Sequence, residues 1–96
     1  MTLSDKQKLI LATIITSVNQ GDPIMGPGEI PSGHLYARLL GAVGLVEYQQ
    51  LLKIAEAHDL IKQKRGHVIR ITPYGAEVAE QISAVVRQTE TNVTIN

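Results

Sequence analysis

Residues Leu45–Gly75 read LVEYQQLLKIAEAHDLIKQKRGHVIRITPYG. The first half carries Tyr48, Leu51, Leu52 and Ala55 at helical spacing, which predicts a helix over Leu45–His58. The second half changes period. Leu60, Ile61, Val68, Ile69 and Ile71 are apolar and mostly β-favouring, and Lys64-Arg65-Gly66-His67 separates the two apolar runs. Gly66 adopts positive φ without steric cost, as a short hairpin turn requires. The expected strands are Leu60–Lys64 and His67–Ile71. Thr72 then caps a further helix, with Pro73 at its favoured first position. Lys62, Lys64, Arg65 and Arg70 are cationic, and no acid lies between Asp59 and Glu77. Such a charged tip could serve only solubility and edge protection. Its placement directly after a helix favours a functional surface.

Outward from this stretch, the chain of 96 residues is sized for one domain. Its apolar side chains are mainly aliphatic, with three Tyr and no Phe or Trp, which suits helices packed on a small sheet. Formal net charge is zero, so nucleic-acid binding through bulk positive charge is excluded and local segregation of charge is required. The segment Lys62–Arg70 offers that segregation. Cysteine is absent, which rules out disulfides and thiolate metal sites and is compatible with a reducing cytosol. No run approaches the about 20 apolar residues of a membrane span, and the N-terminus lacks signal-peptide character. The expected location is the cytoplasm, with no membrane partner.

The first helix is expected over Asp5–Gln20. Ser4 and Gln7 form a capping box, and Ile10, Leu11, Ile14, Ile15 and Val18 form its apolar stripe. Gly21 ends it. The segment GDPIMGPGEIPSG, Gly21 to Gly33, is too rich in Pro and Gly for a helix. One short piece of it could join the hairpin as a third strand; a partner or ligand loop is the alternative. A second helix is expected from Gly33 to Leu40 with Ser32 as N-cap and Leu35, Tyr36, Leu39 and Leu40 on one face. The last helix carries Tyr74, Val78, Ile82 and Val85 or Val86 as its stripe and fades near Gln88. That makes residues 1–88 the domain and 89–96 a flexible tail.

Catalytic and metal chemistry find little support. His34, His58 and His67 lie on three different elements, and none stands in H-x-x-x-H or H-E-x-x-H spacing. Glu56, His58 and Asp59 could cluster, but a His near a helix C-terminus more often answers the helix dipole. The expectation is no enzyme, no metal and no cofactor. A helix about 14 residues long, by contrast, fits a B-DNA major groove. On Leu45–His58 the outward residues are Val46, Gln50, Lys53 and Ala57, with Gln49 at the flank. Gln49 and Gln50 suit adenine, Val46 a thymine methyl, and Lys53 guanine or phosphate. Glu47 and Glu56 fit a merely solvated face equally well.

HDLIKQKRGHVIRITPYGAEVAEQI resembles the ending of winged helix-turn-helix transcriptional regulators: recognition helix, Leu-Ile strand, wing, then a Thr-x-x-Gly start to the last helix, here Thr72 and Gly75. Ala37 and Gly41 match the motif's small residue and turn glycine. The resemblance extends over about Leu3–Arg87. It implies an α+β winged helix-turn-helix fold of four helices with a two- or three-stranded antiparallel sheet, and sequence-specific binding of double-stranded DNA, usually as a homodimer. The expected DNA-contacting residues are Arg38, Val46, Gln49, Gln50, Lys53, Lys62, Lys64, Arg65, His67 and Arg70. The first and last helices are the expected dimer contact, with Leu3, Ile15, Val85 and Val86 as candidates. A winged-helix protein–protein interaction module is the competing class.

Overall fold

A computed structural model describes the backbone of residues 2–95 and the side chains of residues 2–88. Helix α1 (Asp5–Gln20) has the expected bounds and the expected capping box. Ser4 Oγ accepts from the Gln7 amide at 3.1 Å, and the Gln7 side chain accepts from the Ser4 amide at 2.9 Å. Ile10, Ile14, Ile15 and Val18 face the core. The Pro/Gly segment contains a short strand, β1 (Glu29–Pro31). It is followed by α2 (Ser32–Arg38), α3 (Leu45–Ala57), β2 (Ile61–Lys64), β3 (Val68–Ile71) and α4 (Pro73–Ile95).

The three strands form one antiparallel sheet in the order β1-β3-β2. Ile30 stands opposite Ile69, and Ile61 opposite Ile71. Period-2 alternation sends these isoleucines to the core face and Glu29, Lys62, Lys64 and Arg70 to the other. The core beneath combines Ile14, Val18, Leu35, Tyr48, Leu51, Leu52, Ile61 and Ile69 with partners from every helix. The fold is thus a small α+β domain of four helices and a three-stranded antiparallel sheet.

Several boundaries differ from the sequence reading, each for a local reason. Helix α2 begins at Ser32, with Pro31 rather than Ser32 in the capping position. The Ser32 hydroxyl is engaged elsewhere, 3.1 Å from Tyr48 Oη. Helix α2 stops at Arg38, because Leu40 is left-handed with φ 53 and 90% exposed, off the face expected to bury it. Helix α3 ends at Ala57, one residue before His58. Each hairpin strand is one residue shorter than expected, since Leu60 and His67 leave the ladder.

Helix α4 runs past Gln88, to Ile95. Its buried face is also turned from the expected one. Tyr74 is 53% exposed, while Gly75 and Ala79 are buried and Val78 and Ile82 are partly so. Thr72 sets this rotation. Its hydroxyl donates to the Asp59 and Leu60 carbonyls and accepts from the Gly75 amide at 2.9 Å. One buried side chain thereby joins the end of the α3–β2 turn to the first turn of α4.

Candidate nucleic-acid interface

Val46 is 71% exposed, and Gln49, Gln50, Lys53 and Ala57 are exposed beside it, so the outward face of α3 is the one expected from helical geometry. Leu45 is also 54% exposed, which the apolar pattern did not signal. Glu47 is half-buried and, with Gln50 and Lys53, lines a cleft of about 230 Å³ against Gln7 of α1 and Leu3 just before it. Glu56 is not idle. Its Oε2 accepts from the Gln63 amide at 3.0 Å, fastening β2 to the C-terminal end of α3. That bond ties the start of the basic hairpin to the end of the helix.

On the hairpin, Lys62 and Arg70 are cross-strand partners, and Lys64 pairs with Val68. Arg65, Gly66 and His67 make the turn; Gly66 has φ 76 and His67 φ 58. Lys62, Lys64, Arg65, His67 and Arg70 are all exposed. An unexpected acid joins them. Glu29 of β1 faces Arg70 in the register and accepts from its Nε at 3.0 Å, with Lys64 Nζ 3.8 Å away. These surface pairs are worth only about 0–1 kcal/mol each. Their consequence is directional: Glu29 orients the Arg70 guanidinium and offsets one of the hairpin's positive charges. Only the strand register reveals this partner, because Glu29 lies far from Arg70 in sequence.

Arg38 stands apart from the other expected contacts. Its guanidinium donates to the Gly21 carbonyl at 2.8 Å and reaches the Ser17 carbonyl at 3.4 Å, at the C-terminus of α1. A cation there satisfies carbonyls that a helix end leaves open. Next to it, Asp22 is buried. One carboxylate oxygen lies 2.9 Å from His34 Nδ1 and the other accepts from the Ile24 amide at 2.8 Å. The His34 hydrogen bond, then the Ile24 amide, hold the Asp22 carboxyl below the usual aspartate range. Arg38, His34 and Asp22 therefore fasten the Pro/Gly segment to α1 and α2, and this latch has no sequence signature.

Among the described residues, no three His, Asp or Glu side chains gather as a metal-binding group, and no helix is long and apolar enough to cross a membrane. The expected dimer contacts separate into two sets. Ile15 is 3% exposed and belongs to the core, and Leu3 is partly buried, packed against that core and lining the cleft beside α3 rather than α4. Val85 and Val86 are exposed, and so is Leu9, which the sequence reading passed over. Leu9, Ala12, Thr13 and Thr16 of α1 face Ile82, Ser83 and Val86 of α4 across a shallow groove. In comparisons with protein-family models, curated proteins and solved structures, no match to this chain was found.

Proposed function

We propose that the chain is a winged helix-turn-helix DNA-binding protein of the cytoplasm, a small transcriptional regulator. In this reading α3 enters the major groove and the β2–β3 hairpin is the wing, lying along the backbone or adjacent minor groove. The element order and the strand order β1-β3-β2 agree with that fold. One observation carries the functional reading. Lys62, Lys64, Arg65 and Arg70 are all exposed on the hairpin that directly follows α3, and the Glu56–Gln63 bond fastens β2 to the C-terminal end of that helix. Arg38 remains in the contact set through the guanidinium donors that its bonds to the Gly21 and Ser17 carbonyls leave over.

The test is the double variant Lys64→Ala/Arg65→Ala in DNA titrations at several salt concentrations. Each phosphate contact releases counterions and contributes about 0.9 to the slope of log affinity against log salt. The variant should bind every sequence more weakly, with a slope lower by about 1.8. Unchanged affinity and slope would refute a DNA-contacting wing. An interaction module without DNA binding is the second reading. The 90% exposure of Leu40 at the α2–α3 corner, which the DNA reading does not use, favours it. Under it, wild-type protein shows no salt-dependent DNA binding even at low ionic strength.

A single small domain reads few base pairs, so the DNA reading includes a symmetric homodimer. The α1–α4 groove is its contact, with Leu9 and Val86 as the exposed apolar residues that line it and Val85 exposed on α4. Sedimentation at micromolar concentration should show a dimer. Leu9→Asp/Val86→Asp should shift it to monomer without unfolding, because both side chains are at least half exposed. A wild-type monomer, with and without DNA, would remove the dimer from the reading.

A further inference from the structure

We infer that the α3 face selects A·T base pairs through the C5-methyl groups of thymine, so that the target is an A·T-rich half-site; this rests on the DNA-binding reading above. The starting observation is an anomaly of exposure. Leu45 and Val46 occupy the first turn of α3 yet are 54% and 71% exposed. Neither contributes to the core, and Val lowers helix propensity relative to Ala. Two adjacent branched aliphatic side chains at the leading end of a groove-entering helix offer a surface that suits an apolar partner. Thymine is the unmodified base that presents one in the major groove.

The neighbouring side chains point the same way. Gln49 and Gln50 are exposed one turn further on, and a carboxamide matches adenine N6 and N7. Of the groups that would read G·C pairs, this end holds one acid. Glu47, which could accept from cytosine N4, is half-buried in the cleft beside Leu3 and Gln7, whereas Gln50 and Lys53 on the rim of the same cleft are exposed. Lys53, the one cation of α3, lies seven residues beyond Val46, about 10 Å along the helix axis. It is therefore placed for a phosphate or for the edge of the site. The leading turns of α3 offer methyl contact and amide recognition and no guanine reader.

5-Methylcytosine carries the same C5-methyl, so the experiment separates the two sources. Duplexes are first selected by the full-length protein from a random pool. Individual thymines of the selected site are then replaced by deoxyuridine, and in a parallel arm cytosines of a G·C-containing duplex are methylated at C5. A·T-rich sequences should be selected. Each contacted thymine replaced by deoxyuridine should weaken wild-type binding about fourfold, the equivalent of about 0.8 kcal/mol for one buried apolar carbon. Val46→Ala or Leu45→Ala should bind the thymine duplex more weakly and lose that penalty at the thymine each side chain touches. Both residues are surface-exposed, so the folded state should persist, as circular dichroism will verify.

Selection of G·C-rich sites, or indifference to deoxyuridine, overturns the thymine assignment while leaving salt-dependent DNA binding intact. Tighter binding on cytosine methylation with indifference to deoxyuridine also overturns it, in favour of methylated cytosine. Absence of salt-dependent binding to any duplex overturns this inference together with the reading beneath it.

Discussion

Gly75→Ala is expected to lower the unfolding free energy by about 3 kcal/mol, the upper end of what overpacking a tight site costs. Helix propensity alone predicts the opposite, since Ala is favoured over Gly in a helix interior by about 1 kcal/mol. The steric term decides. A β-carbon at Gly75 would sit 2.0 Å from the Leu60 carbonyl oxygen and 2.9 Å from Ile71 Cδ1. The Ile71 methyl could yield by rotation. The Leu60 carbonyl is backbone, and it already accepts from the Thr72 amide at 3.2 Å and the Thr72 hydroxyl at 3.1 Å. Moving it breaks the junction on which the rotation of α4 depends. Domains of this kind have total stabilities of only about 5–15 kcal/mol, so urea denaturation should show a large shift in midpoint. A neutral or stabilising result would mean that α4 slides away from β2 at little cost.

This junction also shows where sequence reasoning is strong. Thr72, Pro73 and Gly75 announce the start of α4, and the structure places all three as a cap, a first-turn proline and a contact glycine. Helix α1 is legible to the residue because Ser4 and Gln7 form a local, reciprocal pair of bonds. The buried stripe of α3 is legible because four large or compact apolar residues recur at one phase. The phase of α4 is not, for the same reason inverted. Val78 and Ile82 are partly buried as expected, but the deepest burial falls on Gly75 and Ala79, too small to stand out against Tyr74 and Val85, which remain exposed.

The candidate interface divides similarly. The exposure of Val46, Gln49, Gln50, Lys53 and the hairpin cations follows from periodicity, and the structure agrees. What periodicity leaves out is the partner of each charge. Arg38 finds carbonyls of α1, and Arg70 finds Glu29, through contacts that join residues 17 and 41 positions apart. No spacing rule covers a backbone carbonyl as a partner, and the strand register that pairs Glu29 with Arg70 depends on where β1 lies within the Pro/Gly segment. The third strand itself is foreseeable as a short apolar piece of that segment; its edge position against β3 rather than β2 is a tertiary outcome.

Tyr48→Ala is expected to destabilise by about 4 kcal/mol, in line with the loss of other large buried aromatic side chains. Tyr48 is 1% exposed and holds α3 against α2 and β1 in two ways. Its ring packs on Tyr36 with centroids 4.9 Å apart and planes tilted by 43°, a favourable aromatic geometry. Its hydroxyl donates to the Ser32 carbonyl at 2.9 Å and lies 3.1 Å from Ser32 Oγ, at the β1–α2 junction. Burial pushes the phenol upward from its usual range, against the opposing effect of the Ser32 hydrogen bond. Tyr48→Phe separates the two contributions. It keeps the ring and leaves Ser32 without its partner, at a cost of about 1–2 kcal/mol. The remaining difference between the two variants, about 2–3 kcal/mol by subtraction, reports the packing of the ring. Paired denaturation curves will check this order. Equal losses for Phe and Ala would assign the seating of α3 to the hydroxyl alone, and a Phe variant as stable as wild type would assign it to the ring.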